Sequence, residues 1–200
     1  AKHASAEALI ADPARDAVFI LTPDFLHAPL LEASIKAQKH VFIEKPAALT
    51  ADELKPLVKL NETNSKTVFV GYMRRFAPAF LALKDRLPPR DEIRHVRIRD
   101  LIRESQFFVD QTRNIFRPTD VPQTAIDEGR AETQRLLKSV MGEARPDQIR
   151  AYQVLTGLSS HSFSAMRELF GAPVKVAAAR QHHGENVMVF FDYGSFTALY

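Results

Sequence analysis

A chain of 200 residues that is 46% hydrophobic and 26% charged has the composition of a globular protein of one or two domains, able to bury a core of its own. Its formal net charge of +3 comes from basic residues dispersed among nearly as many acids, so no nucleic acid partner is expected. It has no cysteine, which excludes a disulfide framework and a thiolate metal site, and no apolar run reaches the roughly 18 residues that a membrane span needs.

The opening stretch AKHASAEALIADPARDA is alanine-rich and amphipathic, with no apolar leader region. The expectation is a cytoplasmic protein whose first residues read like the middle of something. A short helix ending near Ala11 leads to AVFIL (Ala17 to Leu21), an apolar run of buried-strand length that TPDF breaks. A helix is expected from about His27 to Gln38, then a second buried strand in HVFI (His40 to Ile43), which ends on Glu44, Lys45 and Pro46. Thr50 and Glu53 stand as a capping box, although Pro56 argues for a later helix start. A third run, TVFVG (Thr67 to Gly71), completes a series of three parallel strands and leads to YMRRF.

The pattern changes after Arg90. IRHVRIRDLI alternates Ile93, Val96 and Ile98 with polar residues, as a sheet with one wet face does. A partial dinucleotide-type domain over residues 1–90 and a second α/β domain over 91–200 are expected. Residues 103–120 show no clear period and mix phenylalanines with polar groups. Leu136, Leu137, Val140 and Met141 mark a helix, and FSAMRELFGAP a further helix closed by Gly171 and Pro173. VMVFFDY and SFTALY flank Gly194 as a hairpin. His182 and His183 carry no metal assignment, since neighbours on a strand point opposite ways and no third ligand is near in sequence.

In parallel α/β sheets, ligands bind at the carboxyl ends of the strands. These ends are TPDFLH, EKP and GYMRRF, so Lys45 should share a rim with Thr22, Pro23, His27, Glu44, Pro46, Arg74 and Arg75. DAVFILTPDFLH, AQKHVFIEKPAALT, VGYMRRFAPAF and a histidine-bearing helix followed by MRELFGAP together resemble the Gfo/Idh/MocA family, the glucose-fructose oxidoreductase and inositol dehydrogenase group. The resemblance implies the second half of a Rossmann domain, then an α+β domain with an open, mainly antiparallel sheet. It implies NAD or NADP at the strand ends and a sugar, polyol or related hydroxyl or carbonyl compound as small-molecule substrate. It also implies that Lys45 contacts nicotinamide ribose and substrate, and that Lys45–Pro46 is cis.

Two departures from the family stand out. No G-x-G-x-x-G occurs, so the chain reads as a fragment cut at both ends, and the choice between NAD and NADP is not legible. The family's aspartates four residues before and three after His161 are here Gly157 and Ser164. An alcohol losing hydride must also lose a proton, so a base is required; Lys45 is the first candidate and His161 the second. His161 has the alternative of a buried structural histidine. The competing function is a non-catalytic dinucleotide-dependent regulator or scaffold. Residues 103–120 are expected to overhang the substrate. Phe190, Tyr193, Phe196 and Tyr200 are expected to enlarge an apolar sheet face that pairs the chain into a homo-oligomer, most simply a dimer.

Overall fold

The structure is a computed structural model that describes residues 2–101, 111 and 118–200. Strands β1 (Ala17–Ile20), β2 (His40–Ile43) and β3 (Val68–Val70) form a parallel sheet in that order. The register sets Val18 beside Val41 and Val41 beside Val68. Val18, Ile20, Val41 and Ile43 share one core with residues of helices α1 (Ala6–Ala11), α2 (His27–Lys36) and α3 (Ala51–Glu62). On the opposite face Phe19 stacks on Phe42 and Phe42 on Phe69, and Phe19 remains 68% exposed. These strands read as buried on both faces because every position is apolar, but among the described residues only the valine and isoleucine face is deeply covered.

Helix α3 begins where the capping box places it. The Glu53 amide donates to Thr50 Oγ1, and the Thr50 amide donates to Glu53 Oε2, both at 3.1 Å. The late start expected from Pro56 does not occur, and the proline lies inside the helix. A proline there forfeits one bond to the carbonyl four residues back. The two-way cap and the burial of Leu57 offset that loss.

After a 3₁₀ turn (Met73–Phe76) and helix α4 (Pro78–Lys84), β4 (His95–Arg97) enters a second sheet. Helices α5 (Gln123–Met141) and α6 (Pro146–Val154) follow, then a π-helical turn (Leu155–Ser159) and α7 (Ser160–Phe170). The chain closes with β5 (Lys175–His182), β6 (Asn186–Asp192) and β7 (Thr197–Leu199). The sheet order is β4-β7-β6-β5, with β4 parallel to β7 and the other pairs antiparallel. Gly171 ends α7 at φ +77°, and Gly194 turns the hairpin at φ +84°. Both conformations are in the left-handed region that favours glycine.

The outward aromatic face differs from expectation. Tyr193 and Phe196 lie in the core with Met166, Phe170 and Ala198, and Tyr200 packs on Phe163. Side chains alternate along a strand, and residues 190 and 193 have opposite parity, so one face cannot take both. Phe190 does face outward, together with Met188. His182 and His183 also break the expected alternation: His183 leaves the strand at φ +53°, which brings the two rings to a centroid distance of 4.1 Å.

Candidate active site

The carboxyl ends of β1 and β2 are tied together by His27, the first residue of α2. Its side chain lies within a residue only 1% exposed, with Nδ1 2.6 Å from the Pro46 carbonyl and Nε2 2.9 Å from the Thr22 carbonyl. Each nitrogen donates when it carries its hydrogen, so the ring braces two loops from beneath the rim. Lys45 and Pro46 are joined by a cis peptide bond.

Two long-range hydrogen bonds fix the loop after β2. Lys45 Nζ donates to the Gly157 carbonyl at 2.8 Å, and the Tyr152 hydroxyl donates to the Leu49 carbonyl at 2.6 Å. Burial raises the Tyr152 pKa, with the Glu53 charge adding to the effect, so the phenol stays a donor. Gly157 sits in the π-helical turn before α7, and a Cβ built on it would meet nothing within 4 Å. The Lys45 amine therefore bridges the first sheet to the second half of the chain while space beside Gly157 stays open.

The end of β3 is shaped by Gly71, where a Cβ would lie 3.2 Å from Glu44 Oε1 and 3.2 Å from Phe42 Cζ. Its absence leaves room for the Glu44 carboxylate, whose Oε2 accepts from the Lys45 amide at 3.2 Å. Beyond it, Arg74 pairs with Asp100 at 3.1 Å, and Asp100 also accepts from Ser162 Oγ at 2.7 Å. Arg75 pairs with Glu168, which also takes Lys84. These pairs stitch the turn after β3 to α7.

His161 lies on the inner side of α7, 5% exposed, with Tyr72 packed against its ring at 5.9 Å in a T-shaped contact. Burial, then the positive charges of Arg74 and Lys45, hold its pKa below the ordinary 6.5, against a smaller opposing effect of Glu44 and Asp100. Its Nδ1 is buried without a hydrogen-bond partner, as is Thr22 Oγ1. A neutral imidazole has one donor and one acceptor nitrogen, so this unpartnered Nδ1 is one or the other according to the tautomer.

Of the residues singled out in the sequence, the structure therefore gathers Glu44, Lys45, Arg74 and His161 around one seam. Thr22, His27 and Pro46 form the brace below it, with Pro23 at the start of the adjoining turn, and Arg75 points into an ion pair with α7. Tyr152, Asp100 and the widened turn at Gly157 were not singled out. Residues 103–120, expected to cover the substrate, lie for the most part outside the described residues. Among the described residues no group of three or more potential metal ligands occurs, and no helix is long and apolar enough to cross a membrane.

A parallel sheet of βαβ units with polar groups gathered at the strand ends is the architecture of nucleotide-binding α/β folds. Residues 2–72 match the Gfo/Idh/MocA family model, described as an oxidoreductase family with an NAD-binding Rossmann fold. The chain is 42% identical over 80 residues to inositol 2-dehydrogenase from Acidothermus cellulolyticus, covering 40% of this chain and 24% of that protein. It is 34% identical over 79 residues to scyllo-inositol 2-dehydrogenase (NAD(+)) from Bacillus subtilis, covering 40% and 23%. Its fold matches that of biliverdin reductase from Synechocystis, a structure described as a complex with biliverdin and NADP+. That match has a TM-score of 0.59 at 22% identity, over 99% of this chain and 56% of the other. The chain thus spans about a quarter of these curated relatives and about half of the solved structure.

Proposed function

We propose that the protein is an NAD- or NADP-dependent oxidoreductase that interconverts a hydroxyl compound, of the sugar or polyol kind, and its carbonyl counterpart. The observation that carries this reading is the convergence of Lys45 and His161 on one seam at the carboxyl ends of a parallel sheet. The rim fits the nicotinamide end of such a cofactor, because buried Thr22 Oγ1 lacks a partner there and the Glu44 carboxylate is seated against Gly71 at the strand end. Thr22, Pro23, Glu44 and Lys45 would hold it, and when bound it supplies the hydride acceptor or donor. The relatives' names, an NAD(+)-dependent inositol dehydrogenase among them, support the same reading.

In the oxidative direction the substrate carbon gives up hydride while its hydroxyl gives up a proton, leaving a C=O double bond. Lys45 is placed to exchange that proton at the reacting oxygen. Its bond to the Gly157 carbonyl spends one amine hydrogen and aims the head group at the seam. His161, its pKa lowered, keeps an acceptor nitrogen on the neutral ring and is the second candidate to position a substrate hydroxyl. Water is displaced from the seam as the ligand enters, which strengthens both contacts.

The test is a full-length protein assayed with both cofactors against polyols, sugars and simple carbonyl compounds. Lys45→Ala is expected to weaken cofactor binding only modestly, since Thr22, Pro23 and Glu44 remain, and to lower turnover by roughly 10²–10⁴-fold, the usual contribution of a positioned acid–base group. Undiminished turnover refutes the assignment. Cofactor binding with no turnover on any compound supports instead a non-catalytic regulator or scaffold, a reading favoured by Gly157, which contributes no acid. The outer face carrying Met188 and Phe190 supports association into a homo-oligomer. A monomer mass by light scattering at micromolar concentration would exclude it.

A further inference from the structure

A cavity of about 750 Å³ lies between the turn after β1, the loop before α3, helix α5 and the C-terminal end of α6. Its size falls within the range of small-molecule sites. Phe25, Leu26, Leu49, Ile126 and Leu137 contribute to its walls. Two polar residues on the wall have turned their hydroxyl hydrogens away: Thr133 Oγ1 donates to the Gly129 carbonyl at 2.8 Å, and Thr156 Oγ1 to the Tyr152 carbonyl at 2.9 Å. Those positions show mainly carbon to an occupant. The wall is also closely built, because Phe25 packs so tightly on α5 that a Cβ at Gly129 would lie 2.7 Å from its ring.

The cavity adjoins the candidate site at one residue. Gly157 lines it, and the Gly157 carbonyl takes the Lys45 amine at 2.8 Å. Gly157 adds no side chain at that border, where a Cβ would meet nothing within 4 Å. A molecule with its oxygen at Lys45 therefore has a largely apolar cavity beside it.

Resting on the oxidoreductase reading above, we propose that the substrate carries an apolar arm, aromatic or branched aliphatic and about the size of a phenyl ring, which this cavity receives. Asp24, Arg130, Gln134 and Gln153 also stand on the wall, but most of the lining is carbon, so a polyol with hydroxyls all round would lose more hydration there than those groups return. An apolar arm gains by leaving water, so a matched pair of ketones that differ only in the arm reports on the chamber directly.

The experiment uses full-length protein saturated with NADH or NADPH for 4-phenylbutan-2-one and butan-2-one, and with NAD+ or NADP+ for myo-inositol. Binding is followed by calorimetry, and oxidation or reduction of the nicotinamide by absorbance. The phenyl ketone is expected to bind roughly tenfold or more tightly than butan-2-one. Ile126→Glu, which places a charge in the wall, and Ala125→Phe, which fills the chamber, should each abolish that advantage and leave cofactor and butan-2-one binding unchanged. Circular dichroism establishes that each variant is folded, and either variant suffices. Equal binding of the two ketones, failure of both to bind, or an advantage insensitive to a folded variant overturns the proposal. Turnover of myo-inositol with no phenyl preference leaves the oxidoreductase reading standing and removes the apolar arm. A variant-sensitive phenyl preference with no turnover of any compound does the reverse.

Discussion

Replacing His27 by alanine tests whether this histidine is a brace or a ligand contact. The Pro46 carbonyl is bonded by Nδ1 in a buried setting, and leaving it without a donor costs about 1–3 kcal/mol. Nε2 donates to the Thr22 carbonyl as well only when the ring carries both hydrogens, and that bond then adds about 1 kcal/mol. Removing a ring from a site that is 1% exposed also leaves a cavity, for roughly 1–2 kcal/mol more. The expected loss is about 2–6 kcal/mol, a large share of the 5–15 kcal/mol by which ordinary domains are stable. Urea unfolding of the full-length protein without cofactor, followed by circular dichroism, measures it. His27→Gln, which can restore one donor, should lie between wild type and alanine. A loss below about 1 kcal/mol for alanine, the worth of a single ordinary hydrogen bond, combined with weakened cofactor binding, would show that His27 faces the ligand and that the brace reasoning is wrong.

His161→Gln should remove the acid limb of the kcat/KM profile. Neutral His161 accepts a hydrogen bond and protonated His161 cannot, so wild-type activity should fall as pH drops through the lowered folded pKa, below 6.5, and an unchanged limb in the variant would count against the role. The stability linked to its neutral burial has the same sign: it is fully present above the ordinary value of 6.5 and is lost as pH falls toward the folded pKa, which thermal melts across that window would detect. Thr50→Ala should cost about 1 kcal/mol in urea unfolding through loss of the α3 cap. Gly184→Ala should cost roughly 2–3 kcal/mol, because φ is +74° and a Cβ would lie 2.7 Å from the Asp147 carbonyl; a neutral result would mean that this turn is free to shift.

What the sequence made legible divides along the range of the interactions. The three parallel strands, the capping box at Thr50 and Glu53 and the glycine stops at Gly171 and Gly194 are written in neighbouring residues, and each appears in the fold. Lys45 stood out because a charged strand end followed by proline is a local pattern. Tyr152 did not, since its hydroxyl reaches Leu49 across 103 positions of chain. Asp100, which joins Arg74 to Ser162, has the same long-range character. The π-helical turn is a different case: it inserts one residue's worth of extra rotation without altering composition, so a regular helical wheel misplaces Leu158 beside His161. The structure leaves Leu158 41% exposed and buries His161. His27 was legible as a rim residue but not as a brace, because only the folded chain brings Thr22 and Pro46 to its two nitrogens.

The identity of the atom that holds Lys45 bears on how the seam would work. A carboxylate facing that amine would form a charge-assisted bond, worth about 1.5–3 kcal/mol, that an incoming hydroxyl would have to displace. The acid closest in sequence, Glu44, instead has Oε2 on the Lys45 backbone amide, and the Nζ partner is the neutral carbonyl of Gly157. A carbonyl fixes direction at smaller cost to exchange, and an ammonium with one hydrogen so engaged keeps two for a substrate oxygen. The same glycine has no side chain to fill the space beside it. One residue thus aims the amine, leaves it exchangeable and keeps the border with the neighbouring cavity free of a side chain. Substituting Gly157 by aspartate would change all three properties at once: it would compete for the amine, add charge at that border and fill the space beside it.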